Sequence, residues 1–341
     1  MPRPERKFPA PLICGCSGTE LTEEERDFFA SVSPFGFILM GRNCVTKDQA
    51  RALIAELRAS VGRDDAPILI DQEGGRVARL KPPHWPKFPP AASLGMLYAR
   101  DHALGLDMAR IAGSLIGDEL RQIGVTVNCA PVLDIAHPET HQAIGDRAFA
   151  TDPEAVAALG QAYADGLLSQ GVLPVIKHMP GHGRAVVDPH VELPTVYQSR
   201  AELAPDFEPF RRLRHLPVGM SSHILFPAID PVLPASQSPA IVRDIIRGEI
   251  GFDGLLITDD LDMGALGGAL SDRARLALAA GSDVALICNS KVADMHDLAA
   301  GLPPMTEQAW SRWEKAKRAI HQPERPLLAQ ELYRRLEAAL A

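Results

Sequence analysis

Short apolar runs alternate with longer amphipathic stretches along most of this chain. The runs are PLICGC (11–16), FGFILM (35–40), PILID (67–71), GVTVNCA (124–130), GVLPVI (171–176), LPVGMSSH (216–223), GLLITDD (254–260) and SDVALICN (282–289). Each is apolar nearly throughout instead of at every second position, which is the pattern of strands covered on both faces. The intervening spacing predicts helices: one from Thr22, where Glu25 completes a capping box, and others over about 46–60, 101–123, 153–169, 201–214, 239–250 and just before Gly281. Strands alternating with helices imply a parallel sheet, and eight such units imply α/β architecture closed as a (β/α)8 TIM-type barrel. An open doubly wound sheet is the alternative, weakened because no G-x-G-x-x-G follows the first strand. A Pro-rich excursion occupies 81–90, and no linker or low-complexity segment divides the chain. Residues 1–341 therefore read as one barrel domain, with C-terminal helices from about 303 packed on the outside.

Composition narrows the setting. With 46% hydrophobic and 23% charged residues the 341-residue chain has an ordinary globular composition. Its net charge of −8 argues against a nucleic-acid surface, which needs a basic face. No apolar run approaches the roughly 18 residues that span a bilayer, and MPRPERKFPAPL at the start has no apolar core of a signal peptide. Cys14, Cys16, Cys44, Cys129 and Cys288 are scattered without a C-x-x-C pair, so reduced thiols in a cytoplasmic protein are expected. No nucleic-acid or membrane partner is expected.

Ionisable residues gather where the predicted strands end: Asp71, Asn128 and Asp134, Lys177 and His178, His223, Asp259 and Asp260, Asn289. In a barrel those ends form the active-site mouth. KHMPGHGRAVVDPH (177–190) is the densest such segment, and its Pro and Gly residues keep a helix from starting after the strand. His178, His182, Asp188 and His190 allow a zinc reading, although the spacing is not H-E-x-x-H. Asp188 and His190 alternatively form a carboxylate–imidazole pair, held stiffly by Pro189 between them. In TDDLDM, Asp259 lies nearest the strand and reads as the chemical group, while Asp260 and Asp262 read as helix caps. DQEGGRVARL (71–80) adds Asp71 for vicinal hydroxyls and Arg76 or Arg79 for an anion or carbonyl, with Gly74 and Gly75 permitting close backbone approach. Arg147 in IGDRAF is a further candidate.

In order and spacing, GTELTEEE (18–25), ILMGRN (38–43), DQEGGRV (71–77), NCAPVLDIA (128–136), AIGDRAF (143–149), KHMPGHG (177–183), DPH (188–190), MSSH (220–223) and ITDDLDMGA (257–265) resemble glycoside hydrolase family 3, in its bacterial β-N-acetylhexosaminidase branch. The resemblance covers nearly the whole chain. It implies a retaining exo-β-N-acetylglucosaminidase that removes non-reducing terminal N-acetylglucosamine from peptidoglycan fragments, the anhydro-muropeptides, with no cofactor and no metal. Matched position by position, it implies Asp259 as nucleophile, His190 as acid/base and Asp188 as its partner, with Asp71, Arg79, Arg147, Lys177 and His178 holding the sugar. A monomer is expected. The branch usually reads D-S-H where this chain has Asp188-Pro189-His190, a departure in the catalytic loop. The residues suit the chemistry in their own right. Retention needs one nucleophile and one group that serves first as acid and then as base, and an imidazole titrates near neutrality. A neutral imidazole does not repel phosphate, so a β-N-acetylglucosaminide phosphorylase is the nearest rival and a zinc-dependent hydrolase the next.

Overall fold

The computed structural model describes residues 8–289, 291–323 and 326–341. Eight parallel strands close into a barrel: β1 (Ala10–Cys14), β2 (Pro34–Leu39), β3 (Ile68–Ile70), β4 (Val127–Asn128), β5 (Leu173–Met179), β6 (Val218–Ser221), β7 (Leu255–Asp260) and β8 (Val284–Ile287). Each pairs in parallel with its sequence neighbour, and β8 returns to β1 through Leu12 opposite Ala285 and Cys14 opposite Ile287. The expected (β/α)8 architecture is therefore present, and the open sheet is not.

Strand side chains alternate between faces. In β1, Ile13 points into the barrel with Leu69, Val127, Val175, Val218, Ile257 and Leu286, while Leu12 and Cys14 face the helices. Both faces are apolar, which accounts for the continuous hydrophobic runs. The helices begin where their caps dictate. Thr22 Oγ1 accepts from the Glu25 N–H at 3.1 Å while Glu25 Oε2 accepts from the Thr22 N–H at 2.9 Å. Asp152 accepts from the Ala155 N–H at 2.9 Å, with Pro153 opening the helix Pro153–Ser169. The helix expected near 239–250 is present but is wound as a wider π-type helix, Ile241–Glu249.

The C-terminal region divides. The helix Ala329–Leu340 packs outside against His102–Ile123. Helix Glu307–Lys317 instead covers the end of the barrel opposite the strand C-termini: Trp313 is buried among the interior side chains, edge-on to Phe35 with ring centroids 5.0 Å apart. Among the described residues the barrel interior is thus filled at this end.

Candidate active site

The alternation that fills the barrel also builds the site. Leu255 and Ile257 point inward in β7, and Asp259 continues their register; Leu173 and Val175 do the same for Lys177 in β5. From Leu69 in β3 the inward register passes through Asp71 to Glu73, just beyond the strand. Asp71, Lys177 and Asp259 line a cavity of about 450 Å³ at the barrel mouth. All eight residues expected from the sequence face it: Asp71, Arg79, Arg147, Lys177, His178, Asp188, His190 and Asp259.

One wall is an ionic lattice. Lys177 Nζ lies 2.9 Å from Asp71 Oδ1 and 2.7 Å from Glu73 Oε1. Arg79 Nη2 donates to Asp71 Oδ2 at 2.9 Å, and Arg147 grips Glu73 with two N–H bonds of 2.8 Å. Burial alone would raise the Asp71 and Glu73 carboxyls. The charges of Lys177 and Arg79 override it at Asp71, and those of Arg147 and Lys177 bring Glu73 down to about 2. Burial likewise opposes the charge on Lys177, but Asp71 and Glu73 hold its ammonium well above the usual range. Two of the three Lys177 N–H donors are thereby used, leaving one for a ligand.

His178 stands beside this lattice, and its peptide bond to Lys177 is cis. Strand β5 runs to Met179, so Lys177 and His178 belong to the strand and not to the loop after it. Buried Asp134 orients the imidazole through a 2.7 Å contact to Nδ1 and also accepts the His182 N–H at 2.7 Å. His178 Nε2 is left toward the cavity, 3.5 Å from Arg147 Nη2.

Asp259 is half-buried. Its Oδ1 accepts the Asp260 N–H at 2.8 Å, and Oδ2 has no partner among the described residues. Burial raises the carboxyl, but His178, His223, the Asp260 N–H and Lys177 outweigh it, so Asp259 is ionised below the ordinary carboxylate range. Asp260 behaves oppositely: burial and the Asp262 charge push it up to about 7. Asp260 and Asp262 do not cap a helix, since the next one begins at Leu270. Asp260 Oδ1 instead accepts the N–H groups of Asp262 and Cys288 at 3.1 and 3.0 Å, which ties the turn after β7 to β8.

Across the mouth, Asp188 Oδ1 accepts both His190 Nδ1, at 2.7 Å, and the His190 N–H, at 2.9 Å. The carboxylate is held below its usual range, since slight burial is outweighed by these two bonds. His190 Nε2 is thus the ring nitrogen left free of Asp188, on a side chain 68% exposed. The four residues of the zinc reading do not come together: His178 is committed to Asp134 and His190 to Asp188. Among the described residues no group of three or more His, Cys, Asp or Glu is arranged to hold a metal ion. His182 lines the cavity floor, and burial lowers its imidazole to about 4.

Two parts of DQEGGRVARL act otherwise than expected. Gly74 and Gly75 approach the chain's own Pro-rich segment and not a ligand: a Cβ on Gly74, at φ +100°, would lie 2.3 Å from the Pro89 carbonyl oxygen. Arg76 pairs with Asp146 at 3.0 Å and steadies the loop that carries Arg147. Glu73 was missed from sequence, although its spacing of two from Asp71 in an extended segment places both on one face.

A sequence profile described as "Glycosyl hydrolase family 3 N terminal domain" matches residues 17–309. A β-hexosaminidase of Alkalilimnicola ehrlichii is 40% identical over 284 residues, covering 82% of this chain and 80% of that protein. One from Chromobacterium violaceum is 39% identical over 310 residues, covering 89% and 86%. The crystal structure of NagZ from Neisseria gonorrhoeae with N-trifluoroacetyl-D-glucosamine superposes with a TM-score of 0.87 at 30% identity, covering 98% of this chain and 99% of that one.

Proposed function

The chain belongs to glycosyl hydrolase family 3, and we propose that, as a β-N-acetylhexosaminidase of that family, it is a retaining exo-enzyme that removes non-reducing terminal N-acetylglucosamine from peptidoglycan fragments. The observation that carries this reading is a single cavity holding an ionised Asp259 with one unpartnered oxygen and, on another loop, a carboxylate-paired His190.

Asp259 Oδ2 attacks the anomeric carbon. The glycosidic bond breaks, and the leaving oxygen takes the proton from His190 Nε2. Asp188 stabilises the imidazolium and fixes Nε2 as the reacting atom. The neutral imidazole then removes a proton from water, the resulting hydroxide adds to the anomeric carbon, and Asp259 departs as carboxylate. Two inversions give net retention.

Asp71, Arg79, Arg147, Lys177 and His178 hold the terminal sugar. The spare Lys177 donor and the remaining lone pairs of Asp71 suit vicinal hydroxyls, and the lattice fixes them before substrate arrives. The enzyme acts as a cytoplasmic monomer; its five cysteines are all free of disulfides, which suits a reducing compartment. No helix among the described residues is long and apolar enough to cross a membrane.

The test is kinetic. Asp259→Ala is expected to lower kcat by about ten-thousand-fold or more on any aryl β-N-acetylglucosaminide. His190→Ala is expected to cost about 100- to 10,000-fold on a phenyl glycoside and far less on a dinitrophenyl one, which needs little protonation. Release of the α-anomer first, followed by NMR, contradicts retention. Turnover of a disaccharide–anhydro-muramyl peptide no faster than of the aryl glycoside contradicts the peptidoglycan assignment. Light scattering that gives a dimer mass contradicts the monomer.

A further inference from the structure

The acid/base loop is docked from outside. The Gly264 N–H donates to the His190 carbonyl at 3.3 Å and the Ala265 N–H to the Pro189 carbonyl at 3.0 Å. Both donors lie on the segment leaving β7, the strand that carries Asp259. Within the loop, Val191 and Glu192 donate to the Asp188 carbonyl at 3.0 and 3.1 Å, closing its turn. Those bonds set the shape of the turn. Among the described residues no other main-chain hydrogen bond joins residues 188–191 to a segment outside the loop.

The docking segment is itself fixed. Arg273 Nη1 donates to the Leu261 and Met263 carbonyls at 2.7 and 3.2 Å, and its Nε to the Gly268 carbonyl at 3.1 Å. The fit is also close: a Cβ on Gly264 would lie 2.7 Å from the His190 carbonyl oxygen and 2.9 Å from that of Val191. Gly264 does not have a positive φ, so proximity and not backbone conformation requires glycine here. Gly267, in the same segment, has nothing within 4 Å of its Cβ position and no positive φ either.

We propose that the main-chain N–H groups of Gly264 and Ala265 are the dock that sets His190 against the scissile bond, which makes Gly264 a positioning residue for acid/base catalysis. The inference rests on the assignment of Asp188 and His190 as the dyad. It links the two halves of the reaction mechanically, because one segment both follows the nucleophile and holds the acid. Pro189 fits this arrangement: it has no N–H to donate, but its carbonyl accepts one of the two docking bonds.

The experiment compares Gly264→Ala, Gly267→Ala and His190→Ala for kcat/KM on phenyl and dinitrophenyl β-N-acetylglucosaminides, with melting temperatures. A misplacement of about 1 Å costs roughly 100-fold, so Gly264→Ala is expected to lose about 10- to 100-fold on the phenyl substrate and less than about 3-fold on the dinitrophenyl one. With azide present it is expected to release glycosyl azide, as is expected of His190→Ala, while Gly267→Ala matches the parent. If Gly264→Ala melts early, Ala265→Pro, which deletes the donor to Pro189, carries the same comparison. Equal losses on both substrates, or no loss, with His190→Ala still leaving-group dependent, overturn the dock and leave the acid assignment standing. Leaving-group independence in His190→Ala itself removes the acid assignment, and the dock falls with it.

Discussion

Lys177 Nζ sits 2.7 Å from Glu73 Oε1, so a residue not singled out from the sequence shares the buried ammonium with Asp71. Glu73 also neutralises Arg147 and therefore joins two cavity-lining cations through one carboxylate. Its carboxyl falls from an ordinary 4.5 to about 2, so the stability it contributes is present above pH 4.5 and lost as pH falls toward 2. Glu73→Gln is expected to destabilise by about 3 kcal/mol at neutral pH, because two buried cations lose part of their compensation. Thermal unfolding of variant and parent should differ most above pH 5 and converge in acid. A pH-independent gap removes the Glu73 charge from the lattice.

Asp260 has the opposite linkage. Its carboxyl is raised to about 7 in the fold from 3.8, so the unfolded chain loses this proton first and stability declines as pH rises from 3.8 to 7. Asp260→Asn keeps an oxygen for the Asp262 and Cys288 N–H groups and removes the charge. The variant is expected to melt above the parent at pH 8 and close to it at pH 4. A parent that is the more stable at pH 8 refutes the uncompensated charge.

Arg79 offers a cleaner test of sugar binding than Lys177. It is partly exposed, and Asp71 keeps its bond to Lys177 when the guanidinium is removed. Arg79→Ala is therefore expected to fold normally and to weaken competitive inhibition by free N-acetylglucosamine about 10- to 100-fold, the loss of one charge-assisted contact. Unchanged inhibition with an unchanged melting temperature excludes Arg79 from the sugar site.

The barrel was legible because each strand is apolar on both faces and each helix carries its own caps, Thr22 with Glu25 and Asp152 with Pro153 among them. These are local signals, and every expected strand recurs within a few residues. The gathering of Asp71, Lys177 and Asp259 was legible through strand ends alone. What the chain did not announce depends on packing between distant segments. Gly74 reads as a ligand-facing glycine until Pro89 is seen against it. Asp260 and Asp262 look like helix caps, but the next helix starts only at Leu270, and Cys288 and Asn289, just past β8, supply N–H groups they accept. Trp313 lies within the C-terminal helices expected on the outside, and only barrel closure shows the opening it fills.

The choice between water and phosphate as acceptor follows from where the cations are spent. The Lys and Arg side chains lining the cavity are Arg76, Arg79, Arg147 and Lys177. Each already faces a carboxylate: Asp146, Asp71, Glu73, and Asp71 with Glu73, respectively. Phosphate entering over His190 would also meet the ionised Asp188, with no uncommitted Lys or Arg among the described residues lining the cavity to hold it. Water needs only the neutral imidazole. Free N-acetylglucosamine is therefore expected to dominate over N-acetylglucosamine 1-phosphate even in concentrated phosphate buffer, as resolved by chromatography of the products. Predominance of the sugar phosphate would mean that one of these ion pairs opens to admit an anion. Arg79→Ala and Arg76→Ala, measured for the same product ratio, would then identify which one.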